Sequence, residues 1–271
     1  MGLLAVKYRK FIHAMMSASQ LPLALNRLPT YEAFSGQCPI CERWSTFNRI
    51  SDLQTLTLIN PMKIRCQFPD CGSDFIIKGD LANPAWQMLI LDCEELKHQK
   101  RYMYCILNLA QAFEMYFALY FRVQLLYKPF ALEKLHDIEH LNRCHTSLFE
   151  STKKSAFYGL RNMFINSILQ SHSCSTLSQS DLEIGKLISM KNDPGDTAIS
   201  TYSDHSMALL LRELRQFNIG ELRNDVVHKY AYRPRIEEVE KAVDETARIL
   251  YAFDHRFGIL ADDANHYFAT S

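Results

Sequence analysis

The stretch Arg223-Asn224-Asp225-Val226-Val227-His228 sets a permanent cation and a titratable imidazole five positions apart. A guanidinium can hold a phosphate bidentately, and an imidazole can move a proton near neutral pH. RNA brings its own nucleophile, the ribose 2′-hydroxyl, so the two groups form a minimal kit for cutting a phosphodiester without a metal. The bare pairing is cheap. The chain holds ten histidines, and a looser pair, Arg248 and His255, falls inside a final amphipathic segment. Another Arg-Asn dipeptide, Arg161-Asn162, has no histidine at a suitable distance. What singles out Arg223 and His228 is their setting. A Leu- and Arg-rich helix from Met207 to Phe217 leads in and is broken at Gly220, and Pro234 opens a last helix just after.

A second chemical feature lies near the other end. Cys38-Pro39-Ile40-Cys41 and Cys66-Gln67-Phe68-Pro69-Asp70-Cys71 are two tight turns, each presenting two thiols across a β-prone span. Four thiolates close a tetrahedral shell around Zn²⁺ at about 2.3 Å each and leave no open position, so the metal is expected to be structural. In so short a segment, metal binding would supply much of the folding energy. The wider second turn loosens the pattern, and Gly72 after Cys71 restores it. The pattern resembles a zinc ribbon, a module that binds nucleic acid, binds protein or caps a domain. The other four cysteines, Cys93, Cys105, Cys144 and Cys174, read as small buried hydrophobes.

A third pattern, His136-Asp137-Ile138-Glu139-His140, fits the inverted zincin motif. Such enzymes need an α/β scaffold, and nothing after Asn83 reads as strands. The alternatives are a zinc peptidase or simply the polar face of a helix, and the second is preferred.

These groups must be positioned by an ordinary globular chain. Its 271 residues are 48% hydrophobic and 22% charged, with 30 basic and 30 acidic side chains. No global field draws it to nucleic acid, which argues against a non-specific coat but not against one basic cleft. At the N-terminus the apolar run precedes Tyr8-Arg9-Lys10, the reverse of a secretion signal, and Val6 excludes a myristoylation motif. Polar residues Asn108, Gln111, Glu114 and Arg122 interrupt the apolar stretch 102–127, so a buried helix is expected rather than a membrane span. A reducing, cytoplasmic setting follows from the cysteine usage.

Three regions are expected: a partly helical leader over 1–33, the ribbon over 34–80, and a helical bundle over 81–271. Strands are expected at 55–59, 63–65 and 74–78. One long, bent helix is expected from about Pro84 to Tyr127, with Ile106, Leu109, Ala110, Phe113, Phe117 and Phe121 on its buried face. Further helices are expected at 131–150, 153–171, 204–219 and 235–256. Residues 172–203, rich in Ser, Thr, Asp and Gly, read as a polar loop or lid with one short helix from Asp181 to Met190.

The Arg223-Asn224 to His228 stretch, continued by Lys229-Tyr230, resembles the HEPN superfamily (higher eukaryotes and prokaryotes nucleotide-binding). Its signature is Arg, a polar residue, a few positions and then His, entering a late helix. Tyr230 fills the His-x-Tyr place of the HEPN toxins that pair with nucleotidyltransferase antitoxins, and Glu114 on the long helix looks like the family's internal acidic residue. Those toxins are much shorter and lack a ribbon. The resemblance spans roughly residues 85–258 and is motif-grade only over 223–230.

It implies an antiparallel helical bundle and metal-independent endoribonuclease chemistry, in a toxin or antiviral defence role. Products would be a 2′,3′-cyclic phosphate and a 5′-hydroxyl. In this family a dimer joins two motifs across one cleft, so a homodimer and an RNA substrate are expected. His228 would be the general acid or base, and Arg223 would stabilise phosphoryl charge. Asn224 would orient the Arg, and Asp225 and Lys229 are weaker candidates, with Asp225 preferred as a solvated turn residue. Tyr230 is either a packing residue or a modification site for an antitoxin-like regulatory partner. Some members keep the fold without the chemistry, so the alternative is a non-catalytic module binding nucleic acid or protein.

Overall fold

A computed structural model describes residues 33–48, 62–77, 85–129, 138–153 and 155–257. The leader 1–32, the strand expected at 55–59 and His136 lie outside these residues.

The cysteine region consists of two antiparallel hairpins. Strand β1 (Ala33–Gln37) pairs with β2 (Trp44–Asn48), Gln37 opposite Trp44, and β3 (Met62–Arg65) pairs with β4 (Asp74–Ile77), Arg65 opposite Asp74. Strands β3 and β4 match the expectation; β1 and β2 were not anticipated. Neither hairpin adds a strand to the other.

The rest of the described chain is mainly helical, in keeping with a helical bundle. The helix expected from 84 to 127 is in fact a hairpin of two: α1 (Ala85–His98) and α2 (Tyr102–Arg122), which runs into a π-helical turn at Val123–Tyr127. The reversal is a Schellman motif. Arg101 N–H donates to Leu96 O at 2.8 Å, Lys100 N–H donates to Lys97 O at 2.9 Å, and Lys100 sits at φ 57°. Glycine normally marks such a stop. Here a lysine occupies the left-handed position, so the sequence carries no punctuation.

Helix α2 is the centre of the bundle, packed by α1 and by four later elements: α3 (Ile138–Lys153), α4 (Phe157–Leu169), α8 (Ile219–His228) and α9 (Ile236–Phe257). All six residues assigned to its buried face are buried. Its aromatic rings interlock with those of its neighbours, Trp86 meeting Tyr116 edge-on at 5.4 Å and Phe117 meeting Phe164 at 4.8 Å, and the neighbours α4 and α9 join through Phe164 and Phe253 at 5.1 Å. Each such ring removed from water is worth roughly 1.5–3 kcal/mol, which fixes the helix against its neighbours.

Residues 172–203 are more ordered than a lid. They carry α5 (Leu177–Leu187), a 3-10 turn (Ile188–Lys191) and α6 (Gly195–Ser200). Leu177, Ile184, Leu187, Met190 and Ile199 are buried. Asn162 and Asn166, one turn apart on α4, hold this segment by donating to Lys191 O, Met190 O and Asn192 O. The buried Arg161 donates to Arg215 O at 3.0 Å. The next helix, α7 (His205–Gln216), is capped by Asp204, whose carboxylate accepts from Met207 N–H.

Replacing Lys100 by Gly should remove the cost of a left-handed β-carbon and raise stability by about 1 kcal/mol. Urea unfolding of both proteins measures it; an unchanged or lower midpoint would contradict the left-handed reversal.

Candidate functional site

Arg223 and His228 lie within α8, not in the turn before a helix, and His228 is its last residue. The break before α8 falls at Phe217-Asn218 rather than at Gly220: Phe217 leaves helical geometry with ψ 125° and packs its ring 5.7 Å from Phe113. Gly220 has a different role. A β-carbon there would meet Phe157 Cδ1 at 2.8 Å and Tyr158 Cζ at 2.9 Å, so its bareness lets α8 lie against α4.

Arg223 is half-buried, and its Nη1 donates to Asn224 Oδ1 at 3.2 Å. The guanidinium is in electrostatic reach of Glu114 on α2 but makes no contact ion pair among the described residues. Three other Arg residues of this region are taken up in ion pairs. Arg215 pairs with Asp193 and Asp196, Arg248 with Glu213, and Arg256 with Asp204. Arg248 of the looser pair is thereby occupied in an exposed ion pair.

Glu114 is half-buried. Its burial pushes the carboxyl above the ordinary glutamate range, and the Arg223 charge pulls it partly back. The structure thus brings together the cation of the motif and the acidic residue assigned to the long helix.

It does not bring Arg223 and His228 together in one chain. Five helical positions place them roughly 140° apart around α8. His228 is exposed, and its imidazole has no side-chain partner among the described residues. Asp225 is a helical residue rather than a turn residue, joined to Lys229 at 2.7 Å. Tyr230 is 98% exposed, so the packing role considered for it does not hold within its own chain. Val227 beside it is 49% exposed.

Sequence reasoning passed over Tyr158. Its ring touches the α8 backbone at Gly220, and its hydroxyl is raised above the usual phenol range by burial, with Glu221 and Asp225 adding to the rise. A Tyr adjacent to a buried Phe on α4 gives no sequence signal of this contact.

The four knuckle cysteines do converge, with all four sulfurs within 4.8 Å of one another. Cys38 Sγ lies 3.9 Å from Cys71 Sγ, and Cys41 Sγ lies 3.7 Å from Cys66 Sγ. The edge of a tetrahedron with Zn–S bonds of about 2.3 Å is about 3.8 Å, so the donor set fits a metal ion. The two turns are built alike. Cys38 N–H donates to Arg43 O and Cys66 N–H to Ser73 O, with left-handed residues Glu42 and Gly72 after the second cysteines. Arg43 ties the turns together by pairing with Asp70 at 2.7 Å and stacking 4.0 Å from the Phe68 ring centre. The Arg43 guanidinium also draws the Cys41 thiol down to about 6, favouring a thiolate ligand.

No described helix is long and apolar enough to cross a membrane. In comparisons with family models, curated proteins and solved structures, the chain has no match.

Two outcomes test this geometry. Gly220→Ala should destabilise the bundle, because about 1–3 kcal/mol of overpacking against the fixed Phe157 ring outweighs the gain of about 1 kcal/mol that alanine brings to a helix. A lowered urea midpoint is the expected reading. For Glu114 the folded carboxyl titrates higher than the unfolded one, so its contribution is full below the ordinary glutamate pKa and is lost as pH rises through the folded value. Glu114→Gln should therefore gain stability relative to the parent as pH rises above about 4. A difference that stays flat, or runs the other way, would refute the burial of that carboxyl.

Proposed function

We propose that the chain is a metal-independent endoribonuclease of HEPN type, with a composite Arg/His site formed by two copies of α8. The observation that carries this reading is Arg223: a half-buried guanidinium held by Asn224 and faced by Glu114, yet in no contact ion pair among the described residues. A guanidinium so placed suits a phosphate, which can accept two parallel hydrogen bonds. His228, exposed at the end of the same helix, suits proton transfer at a bound ribose-phosphate.

The angular offset of the two residues around α8 favours assembly in trans, with Arg223 of one copy and His228 of the other facing one phosphate. Exposed Val227 and Tyr230 next to His228 supply apolar surface for that contact. The 2′-hydroxyl attacks the phosphorus, His228 takes or returns the proton, and Arg223 stabilises charge on the non-bridging oxygens. The bond to the 5′-oxygen breaks, leaving a cyclic phosphate and a 5′-hydroxyl. Asn224 keeps the guanidinium in place. Zn²⁺ fills the four-cysteine site and cross-links the two hairpins as a zinc ribbon, outside the reaction. A cytoplasmic toxin or antiviral role, restrained by a regulatory partner, fits such an activity.

Purified protein incubated with total RNA in EDTA should cut it and leave cyclic phosphate ends, with circular dichroism confirming that the bundle stays folded. Arg223→Ala and His228→Ala should each lower the rate by at least about 100-fold. Mixing the two inactive variants should restore a measurable fraction, because one intact Arg and one intact His then meet across the interface. Mutants that lose nothing would sink the nuclease reading; RNA bound but uncut would make the chain a binding module. Two dead variants that never complement would place both groups in one chain.

A further inference from the structure

His140 has neighbours beyond its own helix face. On α3 it lies one turn before Cys144, so both side chains share a face, and Asp181 of α5 meets them there. The three ligand atoms (imidazole nitrogen, thiol sulfur and carboxylate oxygen) lie within 4.8 Å of one another. We propose that His140, Cys144 and Asp181 are the protein ligands of a second metal site, for a thiophilic divalent ion of the Zn²⁺ class.

The spacing carries the argument. His140 Nε2 stands 3.5 Å from Asp181 Oδ2. At that distance the two form a loose ion pair, longer than the about 2.7–2.9 Å of a charge-assisted hydrogen bond. Two ligands of one tetrahedral Zn²⁺, with bonds of about 2.0–2.2 Å, stand about 3.4 Å apart. Cys144 Sγ donates to the other carboxylate oxygen, Asp181 Oδ1, at 3.5 Å, a separation close to the about 3.6 Å of a sulfur and an oxygen sharing such an ion. Nitrogen, sulfur and carboxylate oxygen together are a donor set that favours zinc over calcium or magnesium.

Access and purpose are also visible. Cys144 is buried, but the Asp181 side chain is 57% exposed, so an ion can enter from its side and keep a water in the fourth position. Bound there, it would clamp α3 to α5. The same α5 supplies Ser180, whose hydroxyl donates at 2.6 Å to Leu125 O in the π turn ending α2. The clamp would thereby reach the helix that bears Glu114. The ribonuclease reading is not needed for any of this.

The full chain equilibrated with Zn²⁺ and desalted should hold two metal ions by elemental analysis. Asp181→Asn and His140→Ala, checked for folding by circular dichroism, should each remove one. Cys38→Ser combined with Cys41→Ser should remove the other. In that double variant Co²⁺ should give the charge-transfer band of a single thiolate, and Cys144→Ser should abolish it. If only one ion binds and Asp181→Asn removes it, the four-cysteine site fails and this one stands. Retention of all bound metal in both Asp181→Asn and His140→Ala overturns the proposal.

Discussion

A helix buried on almost all sides can afford few polar groups, and α2 sets the rest of the bundle by that constraint. Cys105, Ile106, Leu109, Phe113, Tyr116, Phe117, Tyr120 and Phe121 are all buried. Leu107, Gln111, Glu114 and Ala118 form a half-buried stripe at helical spacing along it. Glu114 is the carboxyl of that stripe, and a carboxyl in such a place needs a nearby cation or its proton. Arg223 supplies the cation from α8, held at a distance that Gly220 permits by letting α8 close on Phe157 and Tyr158. The candidate site is thus a consequence of how the core excludes water, not an addition to its surface.

The two Arg-Asn dipeptides show why the same two letters mean different things. Arg161 and Asn162 sit on α4 with buried side chains, and both reach backbone carbonyls of neighbouring segments. Removing either leaves an unsatisfied carbonyl, the ordinary reason for a polar residue in a core. Arg223 donates to Asn224 Oδ1 just as Arg161 does to Asn162 Oδ1, but it reaches no backbone carbonyl among the described residues, leaving most of the guanidinium's donors unclaimed. Nothing local to either dipeptide distinguishes them. The difference lies in which face of which helix is covered.

What could be read in advance followed the strength of the local physics. The buried face of α2 was legible because an apolar repeat leaves a helix one way to lie. The knuckles were legible because four thiols at those spacings have few other uses. The reversal at Lys100 was not, since backbone hydrogen bonds make a Schellman turn with whatever residue tolerates the left-handed position. Strands β1 and β2, Ala33–Gln37 and Trp44–Asn48, lack an alternating apolar pattern, and the knuckle between them sets their pairing. In residues 172–203 the short helix expected from Asp181 to Met190 falls within α5 and the 3-10 turn, but composition hid the start of α5 and all of α6. Their serines and aspartates suggested a loop, while Leu177, Ile184 and Leu187 kept enough helical spacing to bury one side of α5.

The π turn at Val123–Tyr127 ties these parts together. A widened turn frees carbonyls that a regular helix would have bonded internally, and buried carbonyls must find donors. Ser180 Oγ and Cys174 Sγ provide them at Leu125 O, from the segment that composition had marked as a loop. That segment therefore cannot swing as a lid without stripping Leu125 of both partners, at a cost of about 1–3 kcal/mol for the orphaned carbonyl. Its order follows from the end of α2, and the end of α2 is fixed in turn by α5. The helix that presents Glu114 is held at its aromatic middle by packing and at its far end by hydrogen bonds. A carboxyl–guanidinium spacing that avoids direct contact can persist only between elements held that firmly.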